Sequence, residues 1–264
     1  MRLGLSSASF YGRLETEEAA AILGGYGLDT CEVFLESPSE YSAAFAAQVR
    51  ENLKGLPVTS VHPKGTQFEP DLFGQSKRQH RDAMDIFERV CTAGETLGAV
   101  YYVFHSVSVV RAKRSPGQLY HMTEVLSEMQ SVARAHHMEV LWENVSWAAM
   151  QTPEDVREVR RLLPDQGFVL DLKQAHQVGA TAQDMLDAMG ENLRHLHMLD
   201  WDENNRLVFP GEGVTDFAAL FKTLRERGYR GAAILEPYAD QTREDARLRK
   251  SLAYLRQAMS EAGV

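Results

Sequence analysis

The chain has 264 residues, of which 44% are hydrophobic and 25% are charged, a composition typical of a folded globular protein. Its length matches one (β/α)8 barrel of about 250 residues, although two small domains would also fit. The formal net charge of −9 argues against a large nucleic-acid footprint, which requires clustered lysine and arginine.

Eight short runs rich in β-branched or aromatic residues are bounded by turn-forming residues, which is the pattern of buried strands. In chain order they are Arg2–Ser9, Thr30–Glu36, Pro57–Pro63, Val100–Val107, Met138–Val145, Gly167–Leu172, Leu193–Asp200 and Gly231–Tyr238. Helical patterns lie between these runs, with start signals at Thr16, Thr152 and Thr181. The clearest is Val214–Tyr229, whose phenylalanine and leucine residues share one apolar helix face.

This alternation predicts an α/β protein, a (β/α)8 TIM barrel that forms a single domain over residues 1–264. A doubly wound open sheet is the alternative fold. It would normally have a glycine-rich phosphate loop after its first strand, and this sequence has none there.

Four of the predicted strands end in a single carboxylate or imidazole. These residues are Glu143, Asp171, His197 and Glu236. Such a group is costly at the end of a buried strand unless it is paired, hydrogen-bonded or metal-bound. All strand ends of a barrel meet at one mouth, where active sites lie. Because this donor set suits Mn²⁺, Mg²⁺, Co²⁺ or Zn²⁺, we predict that the four residues bind one divalent metal ion.

Three histidines extend this set. His62 and His105 end two further strands and could ligate a second metal ion with Glu143 bridging, hydrogen-bond a substrate hydroxyl, or line the mouth. His195 shares a strand face with His197 and is predicted to lie deeper in the barrel, behind the ligands.

The loops after the strands contain weaker candidates for substrate contact, namely His176, Trp147, Trp201 and Arg206. Their aromatic rings could stack on a small polyol, although ordinary loop packing is the slightly better explanation for each ring taken singly. The basic segment Arg111–Arg114 could bind a phosphate or carboxylate, but such surface charges are usually only solvated.

The segment GEGVTDFAALFKTLRERGYRGAAILEPY (Gly211–Tyr238) resembles the xylose-isomerase-like barrels, which include sugar phosphate isomerases/epimerases and endonuclease IV. The segments WENVSW, LDLKQAHQVG and HLHMLD resemble the metal-bearing strands of the same family, and the resemblance extends over nearly the whole chain. It implies that the four strand-end residues correspond to the metal site of the ketose 3-epimerase branch. Glu143 and Glu236 would then also act as the catalytic acid/base pair.

Two departures from the family pattern narrow this resemblance. Endonuclease IV enzymes use three zinc ions, and the third requires a histidine three residues after the aspartate and a later Asp-x-His. Those positions are Gln174 and Asn205-Arg206-Leu207 here, which disfavours a DNA-repair enzyme. Gln174 also replaces a histidine that contacts substrate in the ketose epimerases, so their substrate is not assumed.

We therefore expect a metal-dependent isomerase or epimerase that moves a proton on a small sugar-like hydroxy-ketone through an enediolate. Loss of a β-hydroxyl would instead make the protein a dehydratase, a lyase acting on an inosose- or dehydroshikimate-like substrate. A nuclease for damaged DNA and a barrel without catalysis are the remaining classes. The complete four-residue set argues against the latter.

Neither a membrane nor a secretory pathway is indicated by the sequence. No apolar stretch approaches the roughly 20 residues of a membrane span, and MRLGLSSASF is too polar for a secretory signal. Cys31 and Cys91 are too few for a disulfide framework. We expect a cytoplasmic protein with a sugar-like small-molecule substrate, and a homo-oligomer is compatible with this sequence.

Overall fold

The computed structural model of the chain describes residues 1–108 and 116–264. The basic segment Arg111–Arg114, which the sequence suggests as an anion-binding loop, lies outside the described residues.

Eight parallel strands close into a barrel. They are β1 Arg2–Ser6, β2 Thr30–Leu35, β3 Val58–Pro63, β4 Tyr101–Phe104, β5 Glu139–Glu143, β6 Phe168–Asp171, β7 Leu193–Met198 and β8 Ala232–Leu235. Each strand pairs with the next along the chain, and β8 closes the ring by pairing with β1. The predicted TIM barrel is confirmed, and a doubly wound open sheet is wrong because the sheet has no edge. All eight strands lie inside the predicted runs.

Helices surround the barrel. They are α1 Thr16–Leu23, α2 Ala43–Asn52, α3 Glu69–Leu72, α4 Lys77–Leu97, α5 Pro116–Ala135, α6 Pro153–Leu162, α7 Leu172–Gln177, α8 Ala182–Met189, α9 Phe217–Glu226 and α10 Asp245–Glu261. Single 3-10 turns occur at Ser7–Phe10, Gly65–Gln67, Gly190–Asn192 and Gln241–Arg243. Two helices follow β3 and two follow β6, and the first of each pair, α3 or α7, is short and begins near the barrel mouth.

Local capping chemistry explains where several helices begin. The hydroxyls of Thr152 and Thr181 accept a hydrogen bond from the backbone N–H three residues later, and the carboxylate of the aspartate at that position accepts one from the threonine N–H. These reciprocal bonds satisfy amides that the first helical turn leaves free. Helix α1 begins at Thr16 as predicted, but its cap is the preceding residue, Glu15.

The alternation of strand residues determines which side chains enter the barrel. Val103, Leu141 and Val169 are fully buried and form a separate apolar cluster inside it. Each of them lies two residues before a predicted site residue, namely His105, Glu143 or Asp171. Because alternate residues of a strand face the same side, that site residue also points into the barrel interior. The apolar cluster is therefore the floor beneath the barrel mouth.

A small hairpin in the loop after β7 was not part of the predicted strand pattern. Asp200–Trp201 and Leu207–Val208 pair antiparallel. In the turn between them, Asp202 Oδ1 accepts hydrogen bonds from the backbone N–H groups of Asn204 and Arg206. Two-residue strands are too short to produce a recognisable alternation, which explains why the sequence pattern did not reveal them.

Within the part of the chain that the structure describes, no helix combines the length and the apolarity that a membrane crossing requires.

Strand β1 approaches its neighbours too closely for a side chain at Gly4. A Cβ atom there would collide with Cδ1 of Ile234 and would lie 2.9 Å from the backbone oxygen of Thr30. We expect Gly4→Ala to lower the free energy of unfolding by about 1–3 kcal/mol through overpacking, measured by urea denaturation.

The Ile234→Val background provides the control, because it removes the Cδ1 atom that the new methyl group would meet. Gly4→Ala should lower the free energy of unfolding less in that background than in the wild type. An equal cost in both backgrounds would contradict the steric explanation.

Candidate metal centre

The four predicted ligands converge at the barrel mouth. Glu143 and Asp171 are the last residues of β5 and β6, His197 lies in β7, and Glu236 directly follows β8. One donor atom from each of the four lies within 4.8 Å of the others. His197 Nδ1 is 3.0 Å from Glu143 Oε1 and 3.5 Å from Glu236 Oε2. Glu236 is the most accessible, with 12% of its side chain exposed.

Asn144 fixes the positions of two of these residues relative to each other. It follows Glu143 directly, and its side-chain amide donates to the backbone oxygen of Asp171 at 3.0 Å. Its side-chain oxygen accepts from the Asp171 N–H at 2.8 Å. The carboxylate of Asp171 also caps α7, since Oδ1 accepts from the Gln174 N–H at 2.9 Å. Oδ1 is therefore held by the helix, and Oδ2 remains for the centre.

Glu32, in the middle of β2, is a site residue that sequence reasoning missed. It is fully buried, and its Oε2 lies 3.1 Å from His197 Nε2 and 3.3 Å from His195 Nε2. Ser60 donates a hydrogen bond to the same oxygen at 2.8 Å. A carboxylate only accepts, so Nε2 donates to Glu32, and if His197 served as a metal ligand its Nδ1 lone pair would be the one that faces the centre. The available signal was a lone charged residue inside the otherwise apolar run TCEVFL.

The prediction for His195 is confirmed. This histidine is fully buried and lies deeper in the barrel than His197, with Nε2 3.2 Å from the Ser60 hydroxyl. Burial lowers the pKa of His195 below its ordinary value, so the ring is neutral at physiological pH. A neutral ring suits a residue that supports Glu32 from behind.

The electrostatics of the centre favour positive charge. Burial is the main cause that raises the pKa of Asp171 to about 6; Lys173 opposes the shift, and the negative charges of Glu143 and Glu236 add to it. Burial lowers the pKa of His197, but the charges of Glu32 and Glu236 outweigh it and raise that pKa well above its ordinary value. Carboxylates crowded around a buried imidazole create a negative potential that attracts a cation. The donor set, three carboxylates and one imidazole, therefore fits a divalent metal ion.

A second group of donors adjoins the first. His62 Nε2 lies 2.8 Å from His105 Nε2, which is 2.7 Å from Glu143 Oε2. The nitrogen atoms of these two histidines and an oxygen of Glu143 also lie within 4.8 Å of one another. Glu143 therefore offers one oxygen to each group, as a bridging ligand would. His62 is buried, whereas 20% of the His105 side chain is exposed to the mouth.

Lys173 is the second residue that sequence reasoning missed. It lies in the first turn of α7, is buried, and places its ammonium 3.5 Å from Asp171 Oδ2 and 3.7 Å from Glu236 Oε2. The ring of Tyr238 lies on its other side, with Nζ 4.8 Å from the ring centroid. A lysine in a six-residue helix after a strand gives no sequence signal that its side chain turns back over the strand end.

Glu69 lies behind His105, away from the four ligands. Tyr102 donates its hydroxyl to one carboxylate oxygen at 2.9 Å, and the Ser106 N–H donates to the other at 3.3 Å. Gly65 leaves the space for this carboxyl group, because a Cβ atom there would overlap with it. Burial raises the pKa of Glu69 to about 7, although the neighbouring His105 opposes the shift.

Three of the four weaker candidates, Trp147, His176 and Trp201, lie at the rim of the mouth. Trp147 is 37% exposed and contacts the His105 ring edge-on, with centroids 5.5 Å apart. His176 stacks on Trp201 with ring centroids 3.8 Å apart and planes 13° apart. Arg206 is 75% exposed and paired with Asp202, so it lies outside this rim.

The comparison with known sequences defines the class of this fold and site. Residues 20–258 match the family model described as the xylose isomerase-like TIM barrel. The chain belongs to this family, as the resemblance in its sequence implied.

Individual relatives include sugar epimerases. The chain is 21% identical over 237 residues to fructoselysine 3-epimerase of Shigella flexneri, covering 85% of this chain and 86% of that protein. Among solved structures, D-psicose 3-epimerase in the presence of D-fructose superposes with a TM-score of 0.80 at 17% identity, covering 98% of this chain and 99% of that one. The IOLI protein with a bound zinc atom has a TM-score of 0.76 at 16% identity, with 99% and 98% covered. These structural likenesses establish the shared fold.

The raised pKa of Glu69 predicts a pH-dependent stability. A carboxyl group whose pKa rises to about 7 on folding stabilises the protein fully below its ordinary pKa, and the contribution is lost as the pH rises through about 7. Glu69→Gln should therefore gain about 2–3 kcal/mol in unfolding free energy relative to the wild type between pH 5 and pH 8. Urea denaturation at a series of pH values measures this difference.

The exposed Glu51 provides the matched control, since Glu51→Gln should leave the pH dependence of the wild type in place. A Glu69→Gln variant whose stability follows the wild-type pH profile would refute the assignment.

Proposed function

We propose that the protein is a divalent-metal-dependent isomerase or epimerase that transfers a proton at the carbon next to the carbonyl of a small sugar-like hydroxy-ketone. The observation that supports this most strongly is the convergence of Glu143, Asp171, His197 and Glu236 donor atoms within 4.8 Å at the mouth of the barrel. Membership of the xylose isomerase-like family and the similarity to a 3-epimerase support the same class.

The four residues would hold the metal ion. A bound divalent cation supplies positive charge that polarises the carbonyl oxygen of the substrate and stabilises negative charge on it. Glu32 would keep the His197 ring in the orientation and tautomer that a ligand requires, since it lies 3.1 Å from Nε2. Mn²⁺, Mg²⁺, Co²⁺ and Zn²⁺ all accept this mixture of oxygen and nitrogen donors.

Glu143 and Glu236 would act as the acid/base pair. They come from β5 and β8, on either side of the two strands that bear Asp171 and His197. One carboxylate can therefore remove a proton from one face of a substrate carbon while the other returns a proton to the opposite face. This two-sided transfer inverts the carbon and gives epimerisation. If one group returns the proton to the adjacent carbon, the product is an isomer.

His62 and His105 would serve the same site in one of two ways. With Glu143 bridging, they could hold a second cation, because their nitrogen atoms lie within 4.8 Å of its carboxylate oxygen. Alternatively, the partly exposed His105 would hydrogen-bond a substrate hydroxyl. Metal stoichiometry separates the two roles, since the first requires two equivalents and the second only one.

The rim offers aromatic surfaces of the size of a sugar. Trp147 stands beside His105, and the stacked rings of His176 and Trp201 present a second flat surface. We propose that these rings contact the apolar face of the substrate, as aromatic groups commonly do for polyols. Arg206 would contribute only if its pair with Asp202 opened.

The proposed roles predict the behaviour of the Glu143→Gln and Glu236→Gln variants. The Mn²⁺-loaded protein is incubated in D₂O with a panel of ketohexoses and inososes, and deuterium incorporation and products are followed by NMR. We expect a new epimer or isomer with deuterium at the reacting carbon. Each variant should be slower by about a hundredfold or more, because acid/base help is typically worth 10²–10⁴-fold.

Glu226→Gln is the matched control, since this exposed carboxylate of α9 lies outside the centre and the variant should retain wild-type turnover. Loss of water rather than inversion would identify a dehydratase. Full activity in both Glu143→Gln and Glu236→Gln, or activity that ignores a chelator, would refute the proposed function.

The contact between Glu32 and His197 predicts a weaker metal site in Glu32→Gln. Loss of the charge that holds the imidazole should reduce Mn²⁺ affinity about 10–100-fold, as measured by calorimetry on the metal-free protein. Glu139→Gln changes a carboxylate at the opposite end of a barrel strand and should bind Mn²⁺ like the wild type. Equal affinities in all three proteins would show that Glu32 has no influence on the ligand set.

A further inference from the structure

Lys173 is a buried cation at the centre, and the proposed function gives it neither a metal-binding nor an acid/base role. Its side chain is 6% exposed, and its ammonium lies between two carboxylates and the face of the Tyr238 ring. We propose that Lys173 hydrogen-bonds the substrate oxygen that becomes negatively charged when the neighbouring carbon loses its proton, an inference that rests on the proposed function.

The contacts of the ammonium leave its N–H groups available. A lysine ammonium has three donors, and charge-assisted hydrogen bonds to carboxylates are typically about 2.7–2.9 Å long. The observed separations are 3.5 Å to Asp171 and 3.7 Å to Glu236, longer than such bonds. Among the residues that the structure describes, no hydrogen bond satisfies these donors. The two ion pairs thus leave room for a shorter, directed hydrogen bond from the ammonium to a ligand oxygen.

A counter-ion role alone would not produce this geometry. If Lys173 served only to neutralise Asp171 and Glu236, direct contact would stabilise the folded protein more than separations of 3.5 Å and 3.7 Å do. Tyr238 restrains the ammonium from the other side, with its ring centroid 4.8 Å from Nζ. The cation is thus held near both carboxylates without closing on either.

The position of the ammonium places it within reach of the reacting atoms. Glu236 Oε2, which is 3.7 Å from Lys173 Nζ, is also 3.5 Å from His197 Nδ1. A substrate oxygen that approached a cation held by the four ligands would therefore lie beside the ammonium. The two carboxylates beside it, 3.5 Å and 3.7 Å from Nζ, favour the charged form of the lysine.

The proton and electron balance of the step explains why a fixed cation helps. When a carboxylate takes the proton, the electron pair of the C–H bond forms a C=C bond and the C=O π pair moves to the oxygen. The oxygen then bears a negative charge, which the Lys173 ammonium stabilises by hydrogen bonding without giving up a proton. Return of a proton to the carbon reverses these movements. Lys173 interacts more strongly with the charged oxygen than with the ketone, so it favours the transition state.

Binding of acetohydroxamate to the Mn²⁺-loaded protein tests this role without requiring the natural substrate. Its planar anion, with two adjacent oxygens, mimics the enediolate. We expect Lys173→Met to bind acetohydroxamate at least tenfold more weakly than the wild type, whereas its affinity for Mn²⁺ alone should be equal or higher because a neighbouring cation is removed. Lys173→Arg keeps the charge and should recover part of the affinity.

Lys64→Met is the matched control, because Lys64 also lies at the mouth but donates to the Tyr11 hydroxyl outside the centre. The acetohydroxamate affinity of this variant should equal that of the wild type. Lys173→Gln provides a second uncharged variant, and near-UV circular dichroism checks that both uncharged variants are folded. Equal acetohydroxamate affinity in the wild type and either uncharged variant would overturn the role of Lys173 alone. A parallel loss of Mn²⁺ affinity would overturn it too, since the residue would then be structural.

Binding measurements on the wild type distinguish failure of the proposed function from failure of the role of Lys173. A wild-type protein that does not bind Mn²⁺ would contradict the proposed function and the inference together. A wild-type protein that binds Mn²⁺ but not acetohydroxamate would overturn only the inference about Lys173.

Discussion

Four carboxylates, those of Glu32, Glu143, Asp171 and Glu236, surround the His197 imidazole at a depth that little water reaches. Negative groups at this spacing repel one another, and burial increases the cost because solvent no longer screens them. The barrel can tolerate them only because positive charge and N–H donors enter the same space. This positive charge and these donors come from the surrounding imidazoles, the lysine ammonium and the first amides of α7.

The fold and the convergence of the four strand-end donors could be predicted because both follow from local patterns. Alternation within strands and the strand–helix repeat specify a barrel, and Glu143 and Asp171 stand where apolar runs end. Glu32 could not be predicted this way, since it approaches His197 from a strand 165 positions away along the chain. That contact depends on the stagger between strands across the closed barrel, which alternation does not encode.

Residues outside the strands were harder to place for a different reason. The direction of Lys173 depends on the turn at Asp171, whose side chain caps α7. The stacking of His176 on Trp201 joins helix α7 to the hairpin after β7, which is only two residue pairs long. Such contacts arise from packing between loops, and no periodic signal in the sequence reports them.

Asn144 has a consequence for how this barrel can change over evolution. Its two hydrogen bonds to the Asp171 backbone join the ends of β5 and β6, so the spacing of two ligands is set by the strand framework. The aromatic rim, in contrast, is built by the loops. Loops can be exchanged without moving the strand ends. Selectivity can therefore change at the rim while the spacing of the proposed cation site stays the same, so the two properties belong to different parts of the fold.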